Sequence, residues 1–526
     1  MADVIKNPKN HHHHLHALLI PYPFQGHVNP FVHLAIKLAS QGITVTFVNT
    51  HYIHHQITNG SEEDIFAGVR SESGLDIRYA TVSDGLPVGF DRSLNHDTYQ
   101  SSLLHVFYAH VEELVASLVV GDSGVNVMIA DTFFVWPSVV ARKFGLVCVS
   151  FWTEAALVFS LYYHMDLLRI HGHFGAQETR GDLIDYIPGV AAINPKDTAS
   201  YLQETDTSSV VHQIIFKAFE DVKKVDFVLC NTIQQFEDKT IKALNSKSPF
   251  YAIGPIIPFN NQTGGSVTTS LWSESDCTQW LNTKPKGSVL YISFGSYAHV
   301  TKKDLTEIAY GILQSKVNFV WVVRPDIVSS DEIKPLPEGF ESEAGDRGIV
   351  IPWCCQMTVL SHSSIGGFLT HCGWNSILET IWCEVPLLCF PLLTDQVTNR
   401  KLVVDDWEIG INLCEDRRDF GRDEVKMNIN RLMCGVSKEK IGRVKMSLVG
   451  AVSNSGSSEM NLGLFIDGLL AKVGGGLSNG PCVYTRKKKQ TLTSQLRSGL
   501  EGADVDYSKK RKSLDDLKRK PKILPE

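Results

Sequence analysis

Short apolar runs alternate along the chain with stretches whose apolar residues recur at helical spacing, the pattern of βαβ units on a parallel sheet. His16–Pro21 is the first apolar run. Val28–Ser40 follows, with Phe31, Leu34, Ala35 and Leu38 on one helical face, and Gly42 supplies a stop. The β-branched run Ile43–Val48 predicts a second strand. Val125–Ala130 predicts a strand, Val135–Lys143 a helix, Leu146–Phe151 a strand and Phe227–Cys230 another. A second series opens with strand Ser288–Phe294 and a helix that Thr301 and Asp304 cap as a box, running to Ser315. Strands Asn318–Val323, Gly348–Ile351, Gly366–Leu369 and Pro386–Phe390 follow, with helices at Met357–Ser361 and Ser376–Cys383.

The two series are separated by 254–275, rich in Pro, Gly, Asn, Ser and Thr, which reads as a linker. The expected organisation is a flexible His-rich leader over 1–15, a first domain over 16–253 and a second over 276–450. A helix over 451–473 and a tail over 474–526 complete it. Both domains are doubly wound α/β units, in which ligands bind beyond the carboxyl ends of the strands. A cleft between two such domains is the expected active site.

Composition changes this picture only at the ends. Of 526 residues, 43% are hydrophobic and 20% charged, which fits ordered globular domains. The net charge of −7 gives no footprint for nucleic acid or an anionic membrane. The tail differs, with 13 Lys/Arg against 6 Asp/Glu, clustered at Arg486–Lys489 and Lys509–Lys512, and it is expected to be disordered. The 11 cysteines include no C-x-x-C pair, which points to a reducing compartment. Residues 1–16, with the run His11–His14, lack the apolar core of a signal peptide. No stretch approaches the roughly 20 apolar residues of a membrane span, so a cytoplasmic protein is expected.

The densest chemistry lies in the 44 residues from Trp353 to Gln396. After strand Gly366–Leu369 the chain reads His371-Cys-Gly-Trp-Asn-Ser376 and opens a helix, whose N-terminus suits a phosphate. Gly373 lets backbone approach closely, and His371 and Ser376 can each donate a hydrogen bond. The run Ser376-Ile-Leu-Glu379 also reads as a plain capping box. Trp353 follows a strand, where an indole can stack on a planar base for about 1–3 kcal/mol, though such a Trp also suits a core. Gln356 and Glu379 can bind a ribose diol. Asp395 and Gln396 follow the next strand and suit sugar hydroxyls. Base, ribose, pyrophosphate and sugar are all provided for.

The first domain offers Tyr22-Pro-Phe-Gln-Gly-His27-Val-Asn-Pro30 after its first strand. A helix N-terminus disfavours imidazolium, so His27 reads as a neutral base, and Asp131 at the end of another strand can fix its tautomer. On the residues alone, a helix-capping or pocket-lining role is the more expected one for His27.

The block W-x-x-Q, H-C-G-W-N-S, x-x-E and D-Q resembles the signature of plant family-1 UDP-glycosyltransferases, and the likeness extends over residues 15–472. The resemblance implies a GT-B fold, two Rossmann-like domains facing across a cleft, with the C-terminal helix returning to the first. It implies His27 as catalytic base and Asp131 as its partner. Trp353 would stack on uracil with the Cys354 backbone at its edge, and Gln356 and Glu379 would hold ribose. Ser296, His371, Asn375 and Ser376 would hold the pyrophosphate, and Thr153, Trp374, Asp395 and Gln396 the sugar. Gln396 points to glucose as the sugar. Two positions depart from the family: Cys354-Cys355 replace Ala-Pro, and Glu384 replaces a glycine, so a different turn is expected there.

The implied activity is inverting hexose transfer, with glucose from UDP-glucose as the expected case, to a hydroxyl of a small lipophilic metabolite. No cofactor or metal is expected, and the protein is expected to be a monomer. Asp504-Val-Asp506 is the one D-x-D motif and falls in the tail. A non-catalytic UDP-sugar-binding protein is the alternative. A nicotinamide-dependent oxidoreductase would need G-x-G-x-x-G after the first strand, which is not there; a serine hydrolase would need G-x-S-x-G at a strand-to-helix turn, and the one such run, Gly476-Leu-Ser-Asn-Gly480, falls in the tail.

Overall fold

The computed structural model describes residues 14–476 except 62, 122–123, 177–179, 259–266, 268, 329–334 and 436–437. Most of the His-rich leader, the middle of the linker and the basic clusters of the tail lie outside the described residues.

Two parallel sheets carry the fold. The first comprises β1 (His16–Ile20), β2 (Thr44–Thr50), β3 (Ile77–Val82), β4 (Val127–Asp131), β5 (Val147–Trp152), β6 (Phe227–Cys230) and β7 (Phe250–Ala252). Their spatial order is β3-β2-β1-β4-β5-β6-β7. The second comprises β8 (Val289–Ser293), β9 (Asn318–Val322), β10 (Gly348–Ile351), β11 (Ile365–Thr370), β12 (Leu387–Cys389) and β13 (Gly410–Asn412), ordered β10-β9-β8-β11-β12-β13. Successive side chains of a strand point to opposite faces. Ala17 and Leu19 of β1 accordingly join one core, and Leu18 and Ile20 join the core on the other face. This is why the strands read as continuous apolar runs rather than as alternations.

Each sheet reverses its strand order once, between β1 and β4 and between β8 and β11. Crevices for ligands open at the carboxyl ends of the strands at these switch points. His27 follows β1 and Asp131 ends β4; Ser296 follows β8 and His371 follows β11.

Helix α1 (Gln25–Ser40) starts three residues earlier than the apolar spacing predicts and encloses Pro30. Helix α2 (Trp374–Cys383) starts two residues earlier than predicted, with Gly373 as its N-cap. The Thr301 hydroxyl accepts from the Asp304 N–H at 3.1 Å, as its capping pattern requires. Helix α3 (Ser457–Gly476) places Leu462, Phe465 and Leu469 in the core of the first lobe. Lys37 pairs with Glu459 at 2.5 Å, and Asn461 Nδ2 donates to the Ala252 carbonyl at 2.9 Å.

Among the described residues no single helix is long and apolar enough to cross a membrane. The bent pair His96–His105 and Phe107–Val120 comes nearest in composition, and its Leu103, Val111 and Val115 are core residues. The ten described cysteines are free thiols.

Candidate active site

The chain leaves β1 through Tyr22–Phe24 and enters α1, which puts His27 in the helix's first turn. Its Nδ1 lies 2.8 Å from Asp131 Oδ2 and 3.2 Å from Thr153 Oγ1. A carboxylate can only accept, so Nδ1 carries a proton toward Asp131, and the lone pair of the neutral ring is then on Nε2. Asp131 is 1% exposed, and its other oxygen accepts from the Phe133 N–H at 3.0 Å. The Phe133 and Tyr22 rings, centred 5.5 and 5.7 Å away, close the sides of the imidazole.

The facing wall comes from the second lobe. The loop after β8 is pinned by Arg324, which donates to the Gly295 carbonyl and, at 2.8 Å, to the Ala298 carbonyl. The His371 ring is wedged between Gly295 and Gly373, where a Cβ would stand 2.5 Å from its Nε2. Burial, with the Arg324 guanidinium nearby, holds this imidazole down at about 3, so it is neutral. Its Nδ1 is buried with no hydrogen-bond partner among the described residues.

Helix α2 opens without a side-chain cap, so among the described residues no side chain takes up the N–H groups of its first turn. The capping-box reading fails: Ser376 is the third residue of the helix, and its hydroxyl accepts from Gln356 Nε2 at 3.0 Å. The same amide donates to Glu379 Oε2 at 2.8 Å. Burial pushes the Glu379 carboxyl up to about 7 against that hydrogen bond.

Trp374 does not turn its indole freely to the cavity. The ring is 3% exposed, and Nε1 donates to the Asn231 carbonyl of the first lobe at 2.6 Å. Asn375 also bridges the lobes, donating from Nδ2 to the Gly26 carbonyl at 2.6 Å. Pro30 explains that carbonyl: it lacks the N–H that would otherwise bond Gly26 four residues back.

Asp395 accepts from the Thr394 hydroxyl at 2.6 Å and the Asn399 amide at 2.5 Å. Gln396 Oε1 accepts from the Leu392 and Leu393 N–H groups at 2.9 and 3.1 Å, which leaves its NH₂ for a ligand. Cys354 is buried with Sγ 3.5 Å from the Tyr291 hydroxyl, and Cys355 is exposed. Glu384 is a correction to the expected turn. It caps α2 at φ 61°, ψ 37°, the left-handed conformation a glycine would take, so the backbone path is kept despite the side chain.

A cavity of about 430 Å³ joins these groups. It is bordered by His27, Thr153, Ser296, Trp353, Cys354, Gln356, His371, Trp374, Asn375, Ser376, Glu379, Asp395 and Gln396, with Asp131 behind His27. Sequence reasoning missed Glu154, Asn231 and Arg324. Each carried the same signal, a place just beyond a strand end: Glu154 beyond β5, Asn231 beyond β6 and Arg324 beyond β9. Among the described residues no group of three or more His, Cys, Asp or Glu is arranged to hold a metal ion.

Residues 223–418 match the family model of UDP-glucuronosyl and UDP-glucosyl transferases, and residues 14–72 that of a glycosyltransferase N-terminal domain. UDP-glycosyltransferase 86A2 of Arabidopsis thaliana is 93% identical over 483 residues, covering 91% of this chain and 100% of that one. The chain belongs to the plant family-1 UDP-glycosyltransferases. A 7-deoxyloganetin glucosyltransferase of Gardenia jasminoides is 33% identical over 491 residues, covering 89% of this chain and 99% of that one. Among solved structures, Os79 of O. sativa in complex with UDP superposes with a TM-score of 0.73 at 25% identity, covering 86% of this chain and 100% of that one. Phytolacca americana UGT2, complexed with UDP-2fluoro-glucose and pterostilbene, gives 0.69 at 26% identity, with 86% and 99% covered. The two sheets are thus the Rossmann-like domains of a GT-B fold, and the activity is sugar transfer from a UDP-sugar.

Proposed function

We propose that the protein transfers glucose from UDP-glucose to a hydroxyl of a small lipophilic metabolite, with inversion at the anomeric carbon and His27 as general base. The observation that carries this reading is the His27–Asp131 pair, held at 2.8 Å on the wall that faces the uncapped start of α2.

Uracil stacks on Trp353, and its ribose hydroxyls donate to Glu379 and bond the Gln356 amide. The pyrophosphate lies at the first turn of α2 with Ser376, Ser296 and the unpartnered Nδ1 of His371. Asp395, the Gln396 NH₂ and Thr153 hold the hexose. Gln396 and the glucosyltransferase named among the relatives support glucose.

The acceptor hydroxyl gives its proton to His27 Nε2 as its oxygen attacks C1 from the face opposite UDP. The C1–phosphate oxygen bond breaks, and its electron pair leaves with UDP. Asp131 stabilises the imidazolium through Nδ1–H. The helix N-terminus meets the charge growing on the leaving phosphate, so no metal is needed for that purpose.

The test is an acceptor screen with UDP-glucose, following UDP release, repeated on His27→Ala. The variant is expected to bind UDP as before and to lose turnover by at least about 10²-fold. Unchanged turnover removes His27 from the mechanism.

A further inference from the structure

Glu154 follows Thr153 beyond the end of β5 and borders the cavity. Its carboxyl makes no hydrogen bond among the described residues, and its Oε2 is fully buried. A buried polar group left unpaired costs about 1–3 kcal/mol until something pairs with it. None of the proposed steps of transfer uses this group.

Asp131 and Asp395 act on it electrostatically, and it acts in turn on the Tyr162 hydroxyl and the Cys230 thiol. No Lys or Arg borders the cavity among the described residues. Burial, then the charges of Asp395 and Asp131, push the Glu154 carboxyl well above the usual carboxylate range. That favours the carboxylic acid, which has one O–H to donate and a carbonyl oxygen to accept. A ligand hydroxyl, which also donates and accepts, is its match. A ligand carboxylate meets a site of negative potential with no cation to receive it. The rings of Tyr22, Phe133, Tyr162 and Tyr201 supply flat aromatic surface on the same lobe.

We propose that Glu154 selects the acceptor: its carboxyl pairs with a second hydroxyl of an uncharged, flat phenol or alcohol, and carboxylate-bearing acceptors are turned away. This rests on the transfer reading above and goes beyond it in naming the acceptor's chemistry. The residue arises from the first lobe beside the aromatic surface, whereas the Asp395 and Gln396 proposed for the hexose arise from the second.

Three acceptors on one ring system test it: 2-naphthol, 2,6-dihydroxynaphthalene and 6-hydroxy-2-naphthoate. With UDP-glucose, the unaltered enzyme is expected to prefer the diol to 2-naphthol in kcat/KM by about 10-fold, beyond the statistical advantage of two equivalent hydroxyls. It is expected to use the naphthoate at least about 100-fold less well than the diol. Glu154→Gln, whose amide is neutral and both donates and accepts, keeps the preference for the diol; Glu154→Leu abolishes it while leaving the KM for UDP-glucose unchanged. The proposal is overturned by a diol preference that survives Glu154→Leu, by turnover of the naphthoate matching the diol, or by a raised KM for UDP-glucose alone in Glu154→Leu. It is also overturned by an enzyme that binds UDP but neither binds nor glucosylates the diol. Calorimetry with UDP on the same three proteins keeps the two readings apart, because loss of UDP binding in the unaltered enzyme strikes the donor assignment and not Glu154 alone.

Discussion

Glu379 ties donor binding to pH. Its carboxyl titrates at about 7 because burial penalises the charge, and Gln356 offsets only part of that penalty. Ribose hydroxyls bond an ionised carboxylate more strongly than a neutral acid. The binding-competent form therefore accumulates as pH rises through about 7. UDP-glucose, whose phosphodiesters stay ionised throughout, is expected to bind roughly fivefold more tightly at alkaline than at acid pH, a gain of about 1 kcal/mol. Glu379→Gln flattens the profile; an unchanged slope in that variant, followed by calorimetry, assigns the titration to another group. The placement of His27, Asp131, Trp353 and Gln356 at or just behind the cavity was legible in the sequence because each lies at a strand end or a helix start, where side chains reach a crevice, and Glu379 because it stands one turn beyond Ser376 on the same helix face. The partners of Trp374 and Asn375 were not legible. Asn375 bonds a carbonyl 349 positions away, and no local pattern encodes a contact of that separation.

Helices α1 and α2 meet through one defect. Pro30 frees the Gly26 carbonyl inside α1, and Asn375 from the first turn of α2 donates to it. Asn375→Ala leaves that carbonyl without its partner. The unliganded protein is expected to lose about 1–2 kcal/mol, read as a lower denaturation midpoint. An unaltered midpoint means the bridge contributes nothing to lobe alignment. At the other end of α2, Glu384 occupies the left-handed region, which costs a side-chain-bearing residue about 1–2 kcal/mol. Its pair with Lys445 at 3.1 Å is largely exposed and returns little. Glu384→Gly is expected to raise the thermal midpoint, and a fall would show that the Lys445 contact outweighs the backbone strain. The short strands β7 and β13 escaped the sequence reading because three residues carry too little periodicity. Strand β3 escaped it because, at the sheet's edge, its middle residues are only partly buried and break the apolar run. The boundaries of α1 and α2 were misjudged for one reason: Gln25, Gly26, Trp374 and Asn375 are spent on the cleft, so the helical apolar spacing begins after them.

The two sheets bring their switch points face to face, and that arrangement turns two unrelated motifs into one site. Helix α3 and the Trp374 and Asn375 bridges join the lobes, so the cleft's geometry is set by residues from most of the chain. The alternation of strands and helices made this architecture legible, since parallel strands buried on both faces must be linked by crossover helices. The cavity's detailed chemistry, above all the unpartnered Glu154, emerged only once β4, β5 and the segment after β12 were placed side by side. The central claim is that a UDP-hexose lies against the second lobe with its anomeric carbon turned to His27. A crystal structure of the complex with UDP-glucose, or with a slow fluorinated analogue, tests it directly. The expected map has uracil on the Trp353 indole, the pyrophosphate at the first turn of α2 and C1 facing Nε2 of His27; a nucleotide seated in the first lobe, or one that leaves Trp353 untouched, contradicts the account.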